Sequence, residues 1–249
     1  MKDLEYETMS DVEFSHWWFK HRFIKVKNIL HAQSQRISSC LKVFDIGCGT
    51  GGLLIQLKEE SFINSVSGCE PHPIGIQICK DRGLSILECP IDQIKQGLSS
   101  YDAVLCMDVF YHKDIDPLEG FKVINQLLKP GGTLILNVAA MPCLKNAHDD
   151  NSMGVRRFRL RGLKSMALKN GFTITNLHYW NTFLTPAIYL KAKFDTLFPS
   201  FNTHHSSLKL PSKIINNFFK IILKFENFLG KWINFPFGTS LFLVCIKNN

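Results

Sequence analysis

The sequence lacks several patterns that define other classes of protein. None of the eight cysteines forms a C-x-x-C pair, and no cluster of Cys and His has the spacing of a zinc site. No stretch reaches about 18 uninterrupted apolar residues, which excludes a helix that spans a membrane. The acidic, polar start MKDLEYETMSDVEF is unlike a secretory signal peptide. We therefore expect no metal, no disulfides and a reducing, cytoplasmic environment.

Arginine is absent from the last part of the chain, which is nevertheless strongly basic. Residues 180–249 contain eight Lys and no Arg, and they hold +6 of the formal net charge of +8. A basic end favours contact with an anionic surface, either a membrane or a nucleic acid. The length of 249 residues and the hydrophobic fraction of 45% fit one α/β domain with an elaboration.

The stretch VFDIGCGTGG, residues 43–52, predicts a strand, a glycine loop and the start of a helix that runs from Leu53 to about Glu60. Its glycines permit a sharp turn and a close approach of the backbone to a ligand. They also satisfy G-x-G-x-x-G, the dinucleotide fingerprint. Asp45, however, lies two residues before the first glycine. A carboxylate there suits a ligand that carries an ammonium and a sulfonium, and it would repel a pyrophosphate.

The full string Asp-x-Gly-x-Gly-x-Gly resembles motif I of the class I S-adenosylmethionine (SAM)-dependent methyltransferases. The string L-L-K-P-G-G, residues 127–132, is a second signature of that family and argues against an NAD(P)-dependent oxidoreductase, the alternative enzyme. The resemblance covers nearly the whole chain. It implies a Rossmann-like α/β fold with a seven-stranded, mostly parallel sheet, the last strand antiparallel, helices on both faces and a helical insertion before the last strand.

The strand pattern agrees with this fold. Strands are predicted over Val43–Ile46, Ser65–Cys69, Ser85–Cys89, Tyr101–Met107, Thr133–Val138, Gly171–Trp180 and Gly238–Lys247. Amphipathic helices are predicted over His72–Gly83, Leu118–Leu128 and Leu160–Asn170. Pro130 and Gly131 predict a type II turn before the fifth strand.

The cofactor implied by the resemblance is SAM. Glu70 ends the second strand, 19 residues past Gly51, where an acidic residue can accept hydrogen bonds from both ribose hydroxyls. Pro90 stands where many relatives carry an Asp or Ser that binds the adenine amine, so the backbone near Ile91 would take that role. The cofactor-binding residues implied are Asp45, Gly47, Cys48, Gly49, Gly51, Glu70, Pro90, Ile91, Asp92, Met107 and Asp108.

Two histidines are candidates for acid/base catalysis. The segment Asp108–His112 emerges at the carboxyl end of the fourth strand, the edge at which open α/β sheets bind ligands. It resembles the D/E-x-x-x-H segment of the family, which faces the methyl donor. His112 is the first candidate and His148 the second. A purely structural role for a histidine at a strand end stays open.

Substrate residues are implied by two further segments. Residues 138–158 resemble V-P-A…H-D…H-x-R-R-Y, a segment from one bacterial branch of the family, although Gly154 replaces its second His and Phe158 its Tyr. The segment H-W-W-F-x-x-R, residues 16–22, resembles one that helps to close the site. The implied substrate residues are Trp17, Trp18, Asp149, Arg156 and Arg157. A solvated basic loop is the alternative for residues 138–158.

The N-terminal helix and the insertion each allow two interpretations. The helix predicted over Glu13–Leu30 either packs over the sheet edge or forms a lid on the cofactor pocket. In the insertion, Asn181–Phe237, a helix that starts after Ser212 carries Lys and Asn on one side and Ile, Phe and Trp on the other. This helix either lies in a membrane interface or packs on the sheet or on a second subunit. The lack of an Arg-rich stripe argues against nucleic acid.

We therefore expect one methyltransferase domain over residues 1–249, with a lid (1–38), a SAM-binding core (39–180), an insertion (181–237) and a final strand (238–249). It would methylate an O, N or C nucleophile of a small substrate, with an amphiphilic or lipid-linked molecule as the hypothesis. A cytoplasmic location is expected, with peripheral contact at the inner membrane face through residues 212–233. A catalytically degenerate scaffold that binds SAM weakly or not at all is the second alternative, and the oligomeric state stays open.

Overall fold

The computed structural model describes residues 3–145, 154–197, 208–230 and 232–248, in which strands alternate with helices. The strands are β1 (Leu41–Ile46), β2 (Ile63–Cys69), β3 (Ile86–Leu87), β4 (Tyr101–Met107), β5 (Leu128–Ala139), β6 (Phe172–Trp180) and β7 (Ser240–Lys247). The helices are α1 (Asp3–Val12), α2 (Trp17–Ile37), α3 (Gly52–Lys58), α4 (Pro73–Asp81), α5 (Pro117–Leu127), α6 (Leu160–Lys169), α7 (Thr185–Leu197) and α8 (Lys213–Leu229).

The strands of the described residues form one seven-stranded sheet in the order β3-β2-β1-β4-β5-β7-β6. β1 pairs in parallel with both β2 and β4, and β7 lies antiparallel between β5 and β6. The predicted fold is therefore confirmed. Ile46 is in register with Cys69 of β2 and Cys106 of β4, so the carboxyl ends of these three strands meet at one edge. Ligands bind at this edge in open α/β sheets.

Each face of the sheet is covered by helices. Successive residues of a strand point to opposite faces, and both Val43 and Phe44 of β1 are buried. On one face Phe44 belongs to a core that includes Phe121 of α5. On the other face Val43 belongs to a core that includes Leu30 of α2 and Leu223 of α8. Helix α2 thus packs on a face of the sheet, whereas the two interpretations of the N-terminal segment expected packing over the sheet edge or a lid.

The start of the N-terminal helix differs from the prediction. The helix predicted from Glu13 begins at Trp17, because the His16 side chain accepts a hydrogen bond of 3.2 Å from the backbone N–H of Trp18 and caps the helix. It also continues to Ile37. The separate helix α1 precedes it and was not predicted, since its composition is polar and acidic; tertiary contacts of its buried Tyr6 hold it in place.

Two further differences concern the third strand and the insertion. The strand predicted over Ser85–Cys89 is confined to Ile86–Leu87, an edge strand that pairs only with β2 in the described sheet. The insertion contains α7 in addition to the predicted helix. That helix, α8, starts as predicted, because the Ser212 hydroxyl accepts a hydrogen bond of 3.5 Å from the backbone N–H of Ile215. Gly131 has a φ of +71°, the left-handed value that the third position of the predicted type II turn requires, but β5 begins at Leu128 and so includes this turn.

Helix α8 presents most of its apolar side to solvent. Its residues Asn216, Leu223 and Glu226 are buried against the domain. Its exposed side chains include Ile214, Ile215, Phe218, Ile221, Phe225 and Phe228. The interpretation in which the apolar side packs on the sheet is therefore wrong. The polar side chains Asn216 and Glu226, with a few apolar ones, make the contact with the domain instead.

Candidate active site

The glycine loop between β1 and α3 adopts a backbone that requires glycine. Gly47 and Gly49 have φ angles of +62° and +60°, in the left-handed region. A Cβ at Gly47 would lie 2.6 Å from Cγ2 of Val109, and one at Gly49 would lie 2.8 Å from Cε of Met9. The loop is therefore held between the segment that follows β4 and helix α1. This close packing explains why larger residues are excluded there.

Glu70 is in contact with the glycine loop. It follows β2, is only 3% exposed, and accepts hydrogen bonds from the backbone N–H groups of Gly49 (2.8 Å) and His72 (2.9 Å). Its Oε1 also accepts a hydrogen bond of 2.9 Å from the hydroxyl of Tyr6 in α1. Burial raises the pKa of Glu70, whereas these three hydrogen bonds lower it. Tyr6 of α1 thus already donates a hydrogen bond to one oxygen of the carboxylate that is predicted to bind the ribose.

Asp45 is a buried carboxylate near the end of β1, directly before the glycine loop. It is 3% exposed, and its Oδ1 has no hydrogen-bond partner. Burial raises the pKa of Asp45 to about 7, the positive charge of Arg22 lowers it and the charge of Glu70 raises it. A buried acceptor without a partner costs free energy, which a ligand that carries a donor or a positive charge would recover. The loop therefore fits a cationic ligand group such as the ammonium of SAM.

Asp108 brings a third carboxylate to the same edge. It follows β4 with a φ of +59°, and its Oδ1 accepts a hydrogen bond of 2.7 Å from Nδ2 of Asn137. Its Oδ2 lies 3.2 Å from Nη1 of Arg22 in α2. Burial raises the pKa of Asp108, and both partners lower it. Sequence reasoning missed Asn137, although a polar residue inside the apolar strand Thr-Leu-Ile-Leu-Asn-Val was a usable signal.

Glu13 connects the N-terminal segment to the start of α3. Both of its carboxylate oxygens accept hydrogen bonds from the hydroxyl of Thr50, at 2.9 and 2.8 Å. It forms an ion pair with Arg82, which donates a hydrogen bond of 2.7 Å to the carbonyl oxygen of Thr50. A negative charge at the N-terminus of a helix is stabilising. Sequence reasoning treated Glu13 only as the start of a helix and so missed this contact.

The predicted adenine side follows β3. Ile91 begins a short 3₁₀ turn, Ile91–Gln93, directly after Pro90, and its side chain is buried. Met107 ends β4 and is buried in the core that α2 shares with the sheet. Cys48 is buried in the glycine loop with its Sγ 4.0 Å from that of Cys79. The structure therefore places these predicted cofactor residues at or next to the ligand-binding edge.

His112 lies four residues past Asp108 and stacks on Tyr111, with ring centroids 4.4 Å apart. Burial lowers the pKa of His112 to about 4, so the imidazole is neutral at pH 7 and carries one acceptor nitrogen. His112 also forms an isolated antiparallel bridge with Gly154. The two predicted residues His148 and Asp149 lie outside the described residues.

The arginines of the predicted substrate loop contact the backbone. Nη1 of Arg156 donates hydrogen bonds to the carbonyl oxygens of Ile115 and Phe110, and Nη1 of Arg157 donates one of 3.0 Å to that of Ala140. These contacts hold the loop against the carboxyl ends of β4 and β5. A role of the two arginines in substrate binding stays a prediction.

The tryptophans of the predicted lid lie in the packing of α2. Trp18 stacks on Trp180 of β6, with ring centroids 4.5 Å apart. Trp17 packs edge-on against Phe219 of α8, with ring centroids 5.3 Å apart. The contacts that reach the cofactor edge from this region instead come from Tyr6, Glu13 and Arg22. The assignment of Trp17 and Trp18 to the substrate therefore stays a prediction.

Comparison with known proteins decides the family. Residues 18–177 match the family described as "Methyltransferase domain", which is more than half of the chain. The chain belongs to this family. Members transfer a methyl group from SAM, so the match favours this chemistry over the oxidoreductase alternative. The unpaired acceptor of Asp45 agrees with SAM as the cofactor.

The individual relatives have low sequence identity to this chain. The chain is 28% identical over 106 residues to a tRNA U34 carboxymethyltransferase of Desulfotalea psychrophila, a match to 40% of this chain and 33% of that protein. The chain thus spans about a third of that relative. A SAM-dependent methyltransferase of Thermotoga maritima has a similar fold, with a TM-score of 0.54 and 18% identity over 98% of this chain and 100% of that one. The phosphoethanolamine N-methyltransferase 2 of Haemonchus contortus in complex with SAM gives a TM-score of 0.57 and 17% identity, over 89% of this chain and 53% of that one.

Proposed function

We propose that this methyltransferase acts on an O, N or C nucleophile of an amphiphilic or lipid-linked small molecule at a membrane surface. The observation that carries the proposal is the exposed apolar side of α8, on a domain whose sheet edge gathers Asp45, Glu70 and Asp108. In this assignment residues 1–38 form the lid, residues 39–180 the SAM-binding core, residues 181–237 the insertion and residues 238–249 the final strand.

The cofactor would be held by the three strand ends. The unpaired Oδ1 of Asp45 would accept from the ammonium of the methionine portion, and Glu70 would accept from the ribose hydroxyls. The segment that starts at Pro90, in which Ile91 is buried, would contact the adenine. SAM supplies a methyl group on a sulfonium. Positive charge disperses during its transfer, so the protein contributes mainly alignment and exclusion of water.

His112 would act as the proton acceptor where the nucleophile needs one. Its imidazole is neutral at pH 7, and it follows the strand end that carries Asp108. His148 stays the second candidate. A role of Arg156 and Arg157 would be to shape the loop that closes the substrate side, through the carbonyl groups that they bind.

The membrane contact would be made by residues 212–233. Ile221 is 66% and Phe225 is 56% exposed, and Trp232 lies beyond the end of α8 with its side chain exposed as well. Lys213 and Lys224 are exposed on the same helix, and residues 180–249 hold +6 of the net charge. A continuous apolar patch bordered by lysines is complementary to an anionic lipid surface. In the described part of the chain, no helix is long and apolar enough to cross a bilayer.

Calorimetric titration with SAM and with S-adenosylhomocysteine tests the cofactor site. We expect binding by the wild type, and a loss of about tenfold or more in affinity in Asp45→Ala and in Glu70→Ala. A matched control is Asp81→Ala, which removes an exposed carboxylate at the end of α4. A wild type that binds neither compound would support the alternative of a degenerate scaffold.

A further inference from the structure

Asn216 of α8 holds the junction between α1 and α2. Its Oδ1 accepts a hydrogen bond of 2.9 Å from the backbone N–H of Trp17, and its Nδ2 donates one of 3.0 Å to the carbonyl oxygen of Ser15. The side chain is buried. The N–H of Trp17 belongs to the first turn of α2, where amide groups have no partner inside the helix. One side chain of the insertion thus binds two backbone groups about 200 positions away in the chain.

The same junction also contacts the ligand-binding edge of the sheet. Glu13, four residues before Trp17, binds the hydroxyl of Thr50 in the glycine loop. Arg22, in the second turn of α2, lies 3.2 Å from Asp108. The position of the first turns of α2 therefore determines where Glu13 and Arg22 meet the glycine loop and the end of β4.

The outward side of the same part of α8 is the proposed lipid-binding surface. Ile214 and Phe218, two positions either side of Asn216, are exposed. The other end of α8 is fixed as well, because the carboxylate of Glu226 accepts hydrogen bonds of 3.0 Å from the backbone N–H groups of Thr182 and Phe183. α8 is therefore fixed to the domain by buried polar contacts, while its apolar side chains are free to enter a lipid interface.

We propose that lipid binding by α8 raises the affinity of the cofactor site, and that Asn216 is the positioning residue that connects the two. This inference rests on the function proposed above. Lipid contact restricts the remaining motion of α8 on the domain, and through Asn216 it also restricts the motion of the junction that carries Glu13 and Arg22. The protein consequently loses less conformational freedom when SAM binds. Because coupling between two binding equilibria is reciprocal, SAM raises the affinity for lipid by the same factor.

The test is calorimetric titration with SAM, with and without vesicles of phosphatidylcholine and phosphatidylglycerol. For the wild type we expect vesicles to raise the affinity for SAM about fivefold or more, and SAM to raise the affinity for vesicles equally. In Asn216→Ala we expect vesicle binding to persist, because the outward side chains are unchanged, and both increases to disappear. Asn217→Ala is the matched control, since Asn217 is exposed on the same helix, and it should behave as the wild type.

Two further measurements separate coupling from a loss of structure. Asn216→Asp keeps the acceptor for Trp17 and loses the donor to Ser15, so it should restore part of the increase. In the wild type, vesicles should slow amide hydrogen exchange over residues 13–22. A wild type that binds both SAM and vesicles, with neither affinity changed by the other ligand, would overturn the coupling alone. A wild type that fails to bind vesicles, or fails to bind SAM, would overturn the proposed function and this inference with it.

Discussion

The hydroxyl of Tyr6 lies 2.9 Å from Oε1 of Glu70, so the N-terminal helix contacts the carboxylate that we assign to the ribose of the cofactor. The Tyr6 ring also stacks on His72, with centroids 4.2 Å apart. Burial of this hydroxyl and the negative charge of Glu70 both raise the pKa of Tyr6, so it stays protonated and donates the hydrogen bond. Tyr6 and the ribose would therefore compete for the same oxygen.

This competition predicts the effect of Tyr6→Phe. The substitution keeps a ring on His72 and removes the donor to Glu70. We expect the affinity for SAM to rise about threefold to tenfold, since one hydrogen bond contributes about 0.5–1.5 kcal/mol. The free energy of unfolding without SAM should fall by a similar amount. Calorimetry and urea unfolding measure the two effects. A weaker affinity for SAM would instead indicate that the hydroxyl contacts the cofactor.

The buried carboxyl of Asp45 predicts a dependence of SAM binding on pH. Burial raises the pKa of Asp45 to about 7 in the protein without ligand, and only the ionised form binds an ammonium. The association constant should therefore be constant above pH 7 and fall about tenfold per pH unit below it. Asp45→Asn should bind more weakly and lose this dependence. A wild-type affinity that stays constant between pH 5.5 and 8 would contradict the assignment of Asp45.

The raised pKa of Asp45 also predicts that the stability of the protein without SAM falls as the pH rises, whereas its affinity for SAM increases. A carboxyl whose pKa is raised on folding stabilises the native state while it stays protonated. That contribution is lost as the pH rises from the pKa of Asp45 in the unfolded chain, about 4, to its pKa in the folded protein, about 7. Asp45→Asn should thus gain stability over the wild type as the pH is raised through this range, by about 1–3 kcal/mol at pH 8. Urea unfolding at pH 5 and pH 8 measures the difference, and an unchanged difference would contradict it.

Glu13 should contribute to stability through the start of α3. Glu13→Gln removes the charge that faces Arg82 and the hydroxyl of Thr50, and we expect a loss of about 1–3 kcal/mol in the free energy of unfolding. Glu60→Gln is the matched control, because its partner Lys27 is partly exposed, and it should cost less than about 1 kcal/mol. Equal losses in the two variants would show that Glu13 makes an ordinary surface ion pair.

The orientation of α8 predicts which substitutions reduce lipid binding. Phe225→Glu places a charge on the apolar surface of the helix and should weaken binding to anionic vesicles about tenfold or more in a flotation assay. Leu168→Glu changes a side chain that is 50% exposed on α6, and it should have no effect. Salt at about 0.5 M should weaken wild-type binding by screening the lysines. Equal binding by the wild type and Phe225→Glu would contradict membrane contact through α8.

The sequence was sufficient to predict the sheet edge. Tyr101–Met107 is a strand with the predicted bounds, and the glycine loop and Glu70 follow their strands as expected. These features depend on local patterns, since apolar runs predict strands and a left-handed backbone requires glycine. The order of the strands followed from the family resemblance.

Contacts between distant segments could not be predicted. Tyr6 and Glu70 are 64 positions apart in the sequence, and Trp17 and Asn216 are 199 apart, so no periodicity connects them. Periodicity did predict two sides for α8 but not which side is buried. The side that carries Asn216 and Glu226 is buried, because their side chains form hydrogen bonds with backbone groups of α2 and of the segment after β6.

Transfer of labelled methyl groups would identify the class of acceptor that this methyltransferase uses. The protein is incubated with SAM that carries a labelled methyl group and with three acceptor pools, namely a total lipid extract in vesicles, an aqueous metabolite extract and tRNA. We expect label in the lipid fraction, with a decrease of about tenfold or more in Asp45→Ala and in Phe225→Glu. Label in the tRNA or the aqueous fraction, unaffected by Phe225→Glu, would contradict this expectation.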